Sequence, residues 1–201
     1  MDTVENKKSF FQNKIAYTIT VTLILGLIAH IYGMTHTFHT YDSLWNIYSN
    51  QNMISSGRQF LMFACGISSY YALPWINTLL AIIYIGFSVV LICNIFKIEN
   101  KLSIALIAGI LVAFPSVTNT IVYSFTGDGY MLALFLSVLA YYLSKKYKWG
   151  FIPAIFALGV SLGIYQAYFS VTILLCVIGL INDILEEEKF STLFLLSILL
   201  L

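Results

Sequence analysis

Charged residues are scarce in this chain of 201 residues, because Asp, Glu, Lys and Arg together make up only 9% of it. Soluble domains carry about 25% charged residues, so the chain lacks the charges that would solvate the surface of a cytosolic enzyme. Ten basic and nine acidic residues leave a net charge of +1, which excludes a basic nucleic-acid-binding surface. Three cysteines are too few for a disulfide scaffold. These absences indicate a membrane protein.

Hydrophobic residues, which form 60% of the chain, are concentrated in runs long enough to cross a bilayer. A spanning helix needs about 20 mostly apolar residues. The stretch 151–181 would be about 46 Å long as one helix, compared with a hydrocarbon core of about 30 Å, so we predict a break at Tyr165–Tyr168. The predicted runs are Ile15–Met34, Ile76–Phe96, Leu102–Tyr123, Tyr130–Leu143, the two parts of Phe151–Ile181, and Phe190–Leu201.

These runs predict an all-α fold, a polytopic transmembrane helical bundle that forms a single membrane domain over residues 1–201. Pro115 lies inside the third run, where it should kink the helix or begin its exit from the membrane. The last run is still apolar at Leu201. We therefore expect the chain to be the N-terminal part of a longer protein.

The basic residues predict how the spans are oriented, since Lys and Arg in short loops mark the cytoplasmic side. One alternation of the spans places the N-terminus and all lysines in the cytoplasm and Arg58 outside. The segment Thr35–Trp75 then becomes the first extracytoplasmic loop, and its length of about forty residues indicates a function. The lysines are Lys7, Lys8, Lys14, Lys97, Lys101, Lys145, Lys146, Lys148 and Lys189.

Two residues of this outer loop are candidates for chemistry. Asp42 precedes apolar residues at helical spacing, which predicts a helix in the headgroup plane with Asp42 as its N-cap. A carboxylate just outside the bilayer also suits a general base, and both roles stay open. Arg58 is either a cation that snorkels to water or a ligand whose planar fork matches phosphate oxygens.

Further polar residues are predicted on the same face. Asp128 precedes the fourth span, as an N-cap or as a second contact to a polar substrate. Gln166, beside the belt residue Tyr165, needs a partner at bilayer depth, either sugar hydroxyls or a neighbouring helix. His30, His36 and His39 cross a helix end and a loop, which favours interfacial packing over a metal site.

Several short motifs, in this order and spacing, resemble the Gtr-type glucosyl transferases, polytopic enzymes that decorate O-antigen and related bacterial surface polysaccharides. The resemblance covers about residues 42–188. It rests on Ser56-Gly57-Arg58, Leu73-Pro74-Trp75-Ile76-Asn77, Phe114-Pro115-Ser116-Val117, the Tyr123–Tyr130 turn and Gly163-Ile164-Tyr165-Gln166-Ala167-Tyr168.

The resemblance implies a GT-C-like fold and an enzyme of the bacterial cytoplasmic membrane whose active site is extracytoplasmic. Glucose would pass from a polyprenyl-phosphate donor to a polysaccharide acceptor, with Asp42 matching the catalytic carboxylate of the first outer loop. No second acid adjoins Asp42, which argues against a bound divalent metal ion and leaves the base open between Asp42 and Asp128. No cofactor is expected. The substrate-binding candidates are Arg58, Asp128, Tyr165, Gln166 and Trp75.

Two other classes of membrane protein compete with the enzyme. A transporter or lipid-linked sugar flippase would carry ionisable residues at mid-span and paired broken helices in two repeats, and the first four predicted spans show no charge and no convincing repeat. A non-catalytic assembly subunit would not need the outer polar residues. Both comparisons favour the transferase.

Overall fold

The computed structural model describes residues 2–38 and 40–185, and over these residues the chain is helical without a β-strand. Short 3-10 turns occur at Ile54–Ser56 and at Gln166–Tyr168. The α-helices are α1 (Asp2–Thr35), α2 (Tyr41–Asn46), α3 (Leu61–Ala64), α4 (Gly66–Tyr71), α5 (Pro74–Ile95), α6 (Lys101–Ala113), α7 (Pro115–Ile121), α8 (Gly127–Lys146), α9 (Phe151–Ile164) and α10 (Phe169–Leu185).

Four helical segments within the described residues are long and apolar enough to cross a membrane, and a fifth is added if α6 and α7 count as one bent span. The four are Gln12–Thr35, Pro74–Ile95, Gly127–Lys146 and Gln166–Leu185. An all-α polytopic helical protein is therefore confirmed. The predicted run Phe190–Leu201 lies outside the described residues.

Both predicted interruptions of the spans are confirmed. α6 and α7 meet at an angle of 55°, because Pro115 has no backbone N–H to continue α6 and its ring disfavours helical geometry at the preceding Phe114, which is extended. The second interruption follows α9, where Tyr165 is extended with φ −157° and ψ 113°. The segment Tyr165–Tyr168, called the helix break below, turns the chain from α9 into α10.

The centre of the bundle is formed by α5 and α8, with α1 packed on α5 and α9 packed on α8. Buried hydroxyls join the helices around α8: Ser161 Oγ donates to the Ala133 carbonyl at 2.8 Å, and Thr172 Oγ1 donates to the Ser137 carbonyl at 3.0 Å. Small side chains at these crossings let the helices approach closely. The main apolar core comprises Ala81, Ile85, Val89, Cys93, Ile104, Ala108, Val112, Val117, Ile121, Met131 and Leu134.

One end of the bundle gathers lysines from several helices. Lys14 Nζ donates to Asn94 Oδ1 at 3.3 Å, which brings the beginning of α1 to the end of α5. Lys145 of α8 forms an ion pair with Asp183 of α10. The chain between α1 and α5 lies at the opposite end, because α5 and α8 both begin there and end among the lysines.

Gly179 allows α10 to pack on α8. A Cβ at this position would lie 1.7 Å from the Tyr141 hydroxyl oxygen, so Gly179→Ala should lower stability by about 1–3 kcal/mol through overpacking. Thermal unfolding of the detergent-solubilised protein measures the effect. Adding Tyr141→Phe removes the closest atom and should recover part of the loss.

Gly159→Ala is the matched control, because a Cβ on Gly159 meets no heavy atom within 4 Å. It should leave the melting temperature unchanged or raise it slightly, since alanine favours helix. Equal melting temperatures for the two alanine variants would contradict the α8–α10 contact.

Candidate active site

A cavity of about 390 Å³ opens at the end of the bundle away from the lysines. Its lining comes from the chain between α1 and α5, from α7 and the chain that follows it, from α8 and from the helix break. Most of the side chains that line it carry polar atoms. They are Asp42, Asn46, Met53, Arg58, Asn119, Thr120, Tyr123, Phe125, Thr126, Tyr130 and Tyr165.

Asp42 lies in the first turn of α2 and lines the cavity. Its predicted N-cap role is wrong, because Thr40 caps this helix and its Oγ1 accepts from the Ser43 N–H at 3.2 Å. The Asp42 side chain is exposed, and no described residue donates a hydrogen bond to its carboxylate. The carboxylate is therefore available to a molecule in the cavity.

Arg58 is held in the cavity by aromatic residues. Its Nη1 donates to the Tyr130 hydroxyl at 3.1 Å, and its Cζ lies 4.7 Å from the centre of the Tyr165 ring. Such cation–π contacts are worth about 0.5–2 kcal/mol. No carboxylate of the described residues lies within 4.0 Å of the guanidinium. The half-buried Arg58 cation is therefore not paired with a carboxylate in the described part of the chain and can pair with an anionic ligand.

The segment Met53–Phe60, called the arginine loop below, is hydrogen-bonded to the last turn of α9 and to the helix break. The Phe60 N–H donates to the Gly163 carbonyl at 2.8 Å, and Gln166 Nε2 donates to the Ser56 carbonyl at 3.1 Å. A Cβ on Gly163 would lie 2.3 Å from the Phe60 ring, so glycine permits this approach. Gln166 finds its partner in the loop and does not line the cavity.

Asp128 is buried beneath the cavity and does not line it. Its predicted N-cap role is wrong, because α8 begins one residue earlier with Thr126 as N-cap. Asp128 Oδ1 accepts from Ser68 Oγ at 2.7 Å, from Asn77 Nδ2 at 3.0 Å and from the Gly129 N–H at 2.9 Å. The carboxylate therefore ties α4 and α5 to the start of α8.

The other sequence candidates lie away from the cavity. Trp75, in the first turn of α5, is half-exposed and does not line it. His30 is buried with Nε2 at 3.0 Å from the Val112 carbonyl, and the His36 ring stacks on Tyr32. His39 lies outside the described residues, among which no cluster of three His, Cys, Asp or Glu could hold a metal ion.

Sequence reasoning missed several residues of the cavity, above all Asn46, Asn119, Thr126 and Tyr130. Tyr130 was predicted only as the first residue of the fourth span. For Thr126 and Tyr130 a signal was present in the segment Tyr123–Tyr130, which is rich in hydroxyl groups and leads into the fourth predicted span.

A family model described as the glucosyl transferase GtrII matches residues 31–201 of the chain. The chain belongs to this family. The match includes every residue that lines the cavity, so the cavity is the candidate active site of a GtrII-family transferase. Searches of curated proteins and of solved structures each find no match.

The contacts of Asp128 predict that it stabilises this transferase. Asp128→Ala leaves the Ser68 hydroxyl and the Asn77 amide without their acceptor, which should cost about 1–3 kcal/mol. Asp128→Asn keeps one acceptor oxygen and should cost less. Melting temperatures in detergent measure both effects, with the exposed Glu99→Ala as control. An Asp128→Ala protein that melts like wild type but fails to bind donor would instead indicate a substrate contact.

Proposed function

We propose that this transferase moves a glucosyl unit from a polyprenyl-phosphate carrier to a cell-surface polysaccharide, on the extracytoplasmic face of the bacterial cytoplasmic membrane. One observation carries the proposal: the available carboxylate of Asp42 and the un-neutralised guanidinium of Arg58 line one cavity. Lys14 and Lys145 lie at the other end of the bundle, so the positive-inside rule supports an extracytoplasmic cavity.

The membrane setting favours a lipid-linked donor. Nucleotide sugars are made in the cytosol, so an outward-facing transferase needs a donor whose activating group is already in the membrane. The sequence has no glycine-rich phosphate loop of the nucleotide-binding type. Arg58 offers a planar fork for phosphate oxygens, and the apolar helices around the cavity offer a surface for the polyprenyl chain.

The proposed reaction is a single displacement. Asp42 accepts the proton of the acceptor hydroxyl, whose oxygen forms a bond to the anomeric carbon as the bond from that carbon to the phosphate oxygen breaks. The electron pair leaves with the lipid phosphate, and Arg58 stabilises the charge that develops there. One displacement inverts the anomeric centre. A polytopic transferase that uses a lipid-phosphate donor is of the GT-C type.

Membership of a glucosyl transferase family favours this chemistry over a transporter or flippase. A flippase would move the lipid-linked sugar between leaflets without forming a glycosidic bond. A transfer assay with radiolabelled polyprenyl-phosphate glucose and acceptor glycan separates the two functions, because only a transferase places label on the glycan.

Asp42→Asn should reduce transfer about 100- to 10,000-fold, the range that a general base contributes. The amide cannot take the proton, but it preserves the shape of an exposed side chain and should leave folding unchanged. The measurement is the initial rate of glucosyl transfer at saturating donor, together with the melting temperature.

Glu99→Gln is the matched control, since Glu99 is an exposed acid at the lysine end. It should transfer glucose at the wild-type rate. Wild-type transfer by Asp42→Asn would remove Asp42 from the mechanism.

The proposed sidedness is tested by cysteine labelling in intact cells. Tyr41→Cys introduces a thiol at an exposed position beside Asp42, and Lys148→Cys introduces one at the lysine end. A membrane-impermeant maleimide should label the first variant and not the second. Labelling of Lys148→Cys alone would place the cavity in the cytosol and overturn the proposal.

The natural cysteines give this experiment a clean background. Cys65, Cys93 and Cys176 are all buried free thiols. Burial raises the pKa of Cys65 to about 11, with a smaller increase from the Asp128 charge and a partial offset by the Ser69 hydrogen bond. The reactive form is the thiolate, so at pH 7 Cys65 stays protonated and should remain unlabelled.

A further inference from the structure

Thr126 carries a buried hydroxyl group in the lining of the cavity that makes no hydrogen bond. The residue is 1% exposed, and its Oγ1 makes no hydrogen bond of acceptable geometry with the described residues, although the Tyr130 hydroxyl is a neighbour. Threonine at an N-cap commonly accepts a hydrogen bond from the first turn of its helix, but Thr126 does not do so. Because buried polar atoms are nearly always hydrogen-bonded, this hydroxyl indicates a ligand group in the cavity.

The Arg58–Tyr130 contact provides further donors. Arg58 Nη1 donates to the Tyr130 hydroxyl oxygen at 3.1 Å. A guanidinium has no lone pair to accept a hydrogen bond, so the Tyr130 proton is left to a different acceptor. Arg58 Nε is also buried without a partner. The Tyr130 and Thr126 hydroxyls are also close enough to influence each other. Whichever of the two donates to the other, one hydroxyl proton and the Arg58 Nε–H still lack an acceptor among the residues that the structure describes.

We propose that Arg58, Tyr130 and Thr126 form one anion subsite that binds the oxygens of a phosphate mono- or diester. The inference deepens the proposed function and rests on it for the identity of the ligand, the phosphate of the lipid donor. Tyr130 and Thr126 each donate a hydrogen bond to a non-bridging oxygen, and Arg58 supplies the charge. These donors bind more strongly as charge grows on the leaving phosphate.

Side-chain donors carry this subsite, and the helix terminus does not. The N-terminus of α8 favours an anion, but the Asp128 carboxylate lies in the same first turn and opposes it. Asp128 is engaged by Ser68, Asn77 and the Gly129 N–H, outside the cavity lining. Removal of a single side-chain hydroxyl should therefore weaken binding of the anion by a measurable amount.

The test is equilibrium binding of a radiolabelled polyprenyl phosphate that carries no sugar, with the full chain in nanodiscs. Tyr130→Phe and Thr126→Val each remove one hydroxyl with little change of shape. Each should weaken binding about 10- to 100-fold, the range for a hydrogen bond to a charged group. Thr126→Ser restores a hydroxyl and should bind within about twofold of wild type, as should Tyr147→Phe at the exposed end of α8.

Competitors identify what is recognised. Unlabelled polyprenyl phosphate and inorganic phosphate should both displace the label, whereas neutral polyprenol should not. The competitor with the lower dissociation constant, polyprenyl phosphate or inorganic phosphate, identifies the lipid headgroup or free phosphate as the preferred ligand. Displacement by both supports an anion subsite, whichever binds more tightly. Displacement by polyprenol as effective as by polyprenyl phosphate would overturn it, as would wild-type binding by both Tyr130→Phe and Thr126→Val.

The binding measurement separates this inference from the proposed function. If Asp42→Asn is inactive while Tyr130→Phe and Thr126→Val bind like wild type, the transferase proposal stands and the subsite is wrong. If wild type transfers no glucose while those two variants lose phosphate binding, the subsite stands and the proposed function is wrong.

Discussion

The candidate active site depends on the contact of the arginine loop with the last turn of α9 and the helix break. A backbone hydrogen bond from Phe60 to Gly163 and the Gln166 contact with Ser56 hold the two segments together. Through this contact the Arg58 guanidinium stacks on Tyr165. The interruption between α9 and α10 therefore also positions the Arg58 guanidinium in the cavity.

This contact also provides a hydrogen-bond partner for a backbone group, as a membrane protein requires. An interrupted helix exposes N–H and C=O groups that hydrocarbon cannot bind. In the last turn of α9, just before the helix break, the Gly163 carbonyl accepts from the Phe60 N–H of the arginine loop, so one hydrogen bond serves both the interruption and the site. The glycines Gly57 and Gly163 permit the approach, since Gly57 has φ +73° and Gly163 faces the Phe60 ring.

Charge is divided between the two ends of the bundle. Lysines and Asp183 occupy one end, and the other holds Asp42 and Arg58 in one cavity without an ion pair to the described residues. A carboxylate and a guanidinium that are not neutralised by the protein are suited to bind and activate a polar substrate. Asp128 is also acidic, but its carboxylate accepts hydrogen bonds from three donors and holds helices together at this end of the bundle.

Much of the architecture could be predicted from the sequence, because span length, proline position and lysine placement are local properties. The four long runs, the bend at Pro115 and the break at Tyr165–Tyr168 all follow from hydropathy and backbone chemistry. Asp42, Arg58 and Tyr165 could also be named in advance as polar or aromatic residues of the predicted outer face, and the structure brings these three to one cavity.

Only the tertiary structure decided which neighbouring residues face that cavity. Asp128 and Tyr130 are two residues apart, about 200° around a helix, so one is buried against α4 and α5 while the other lines the cavity. The sequence determined that polar groups lie at this end of α8. Which of them contacts a substrate depends on helix packing, because the helices around α8 determine which of its faces is buried and which lines the cavity.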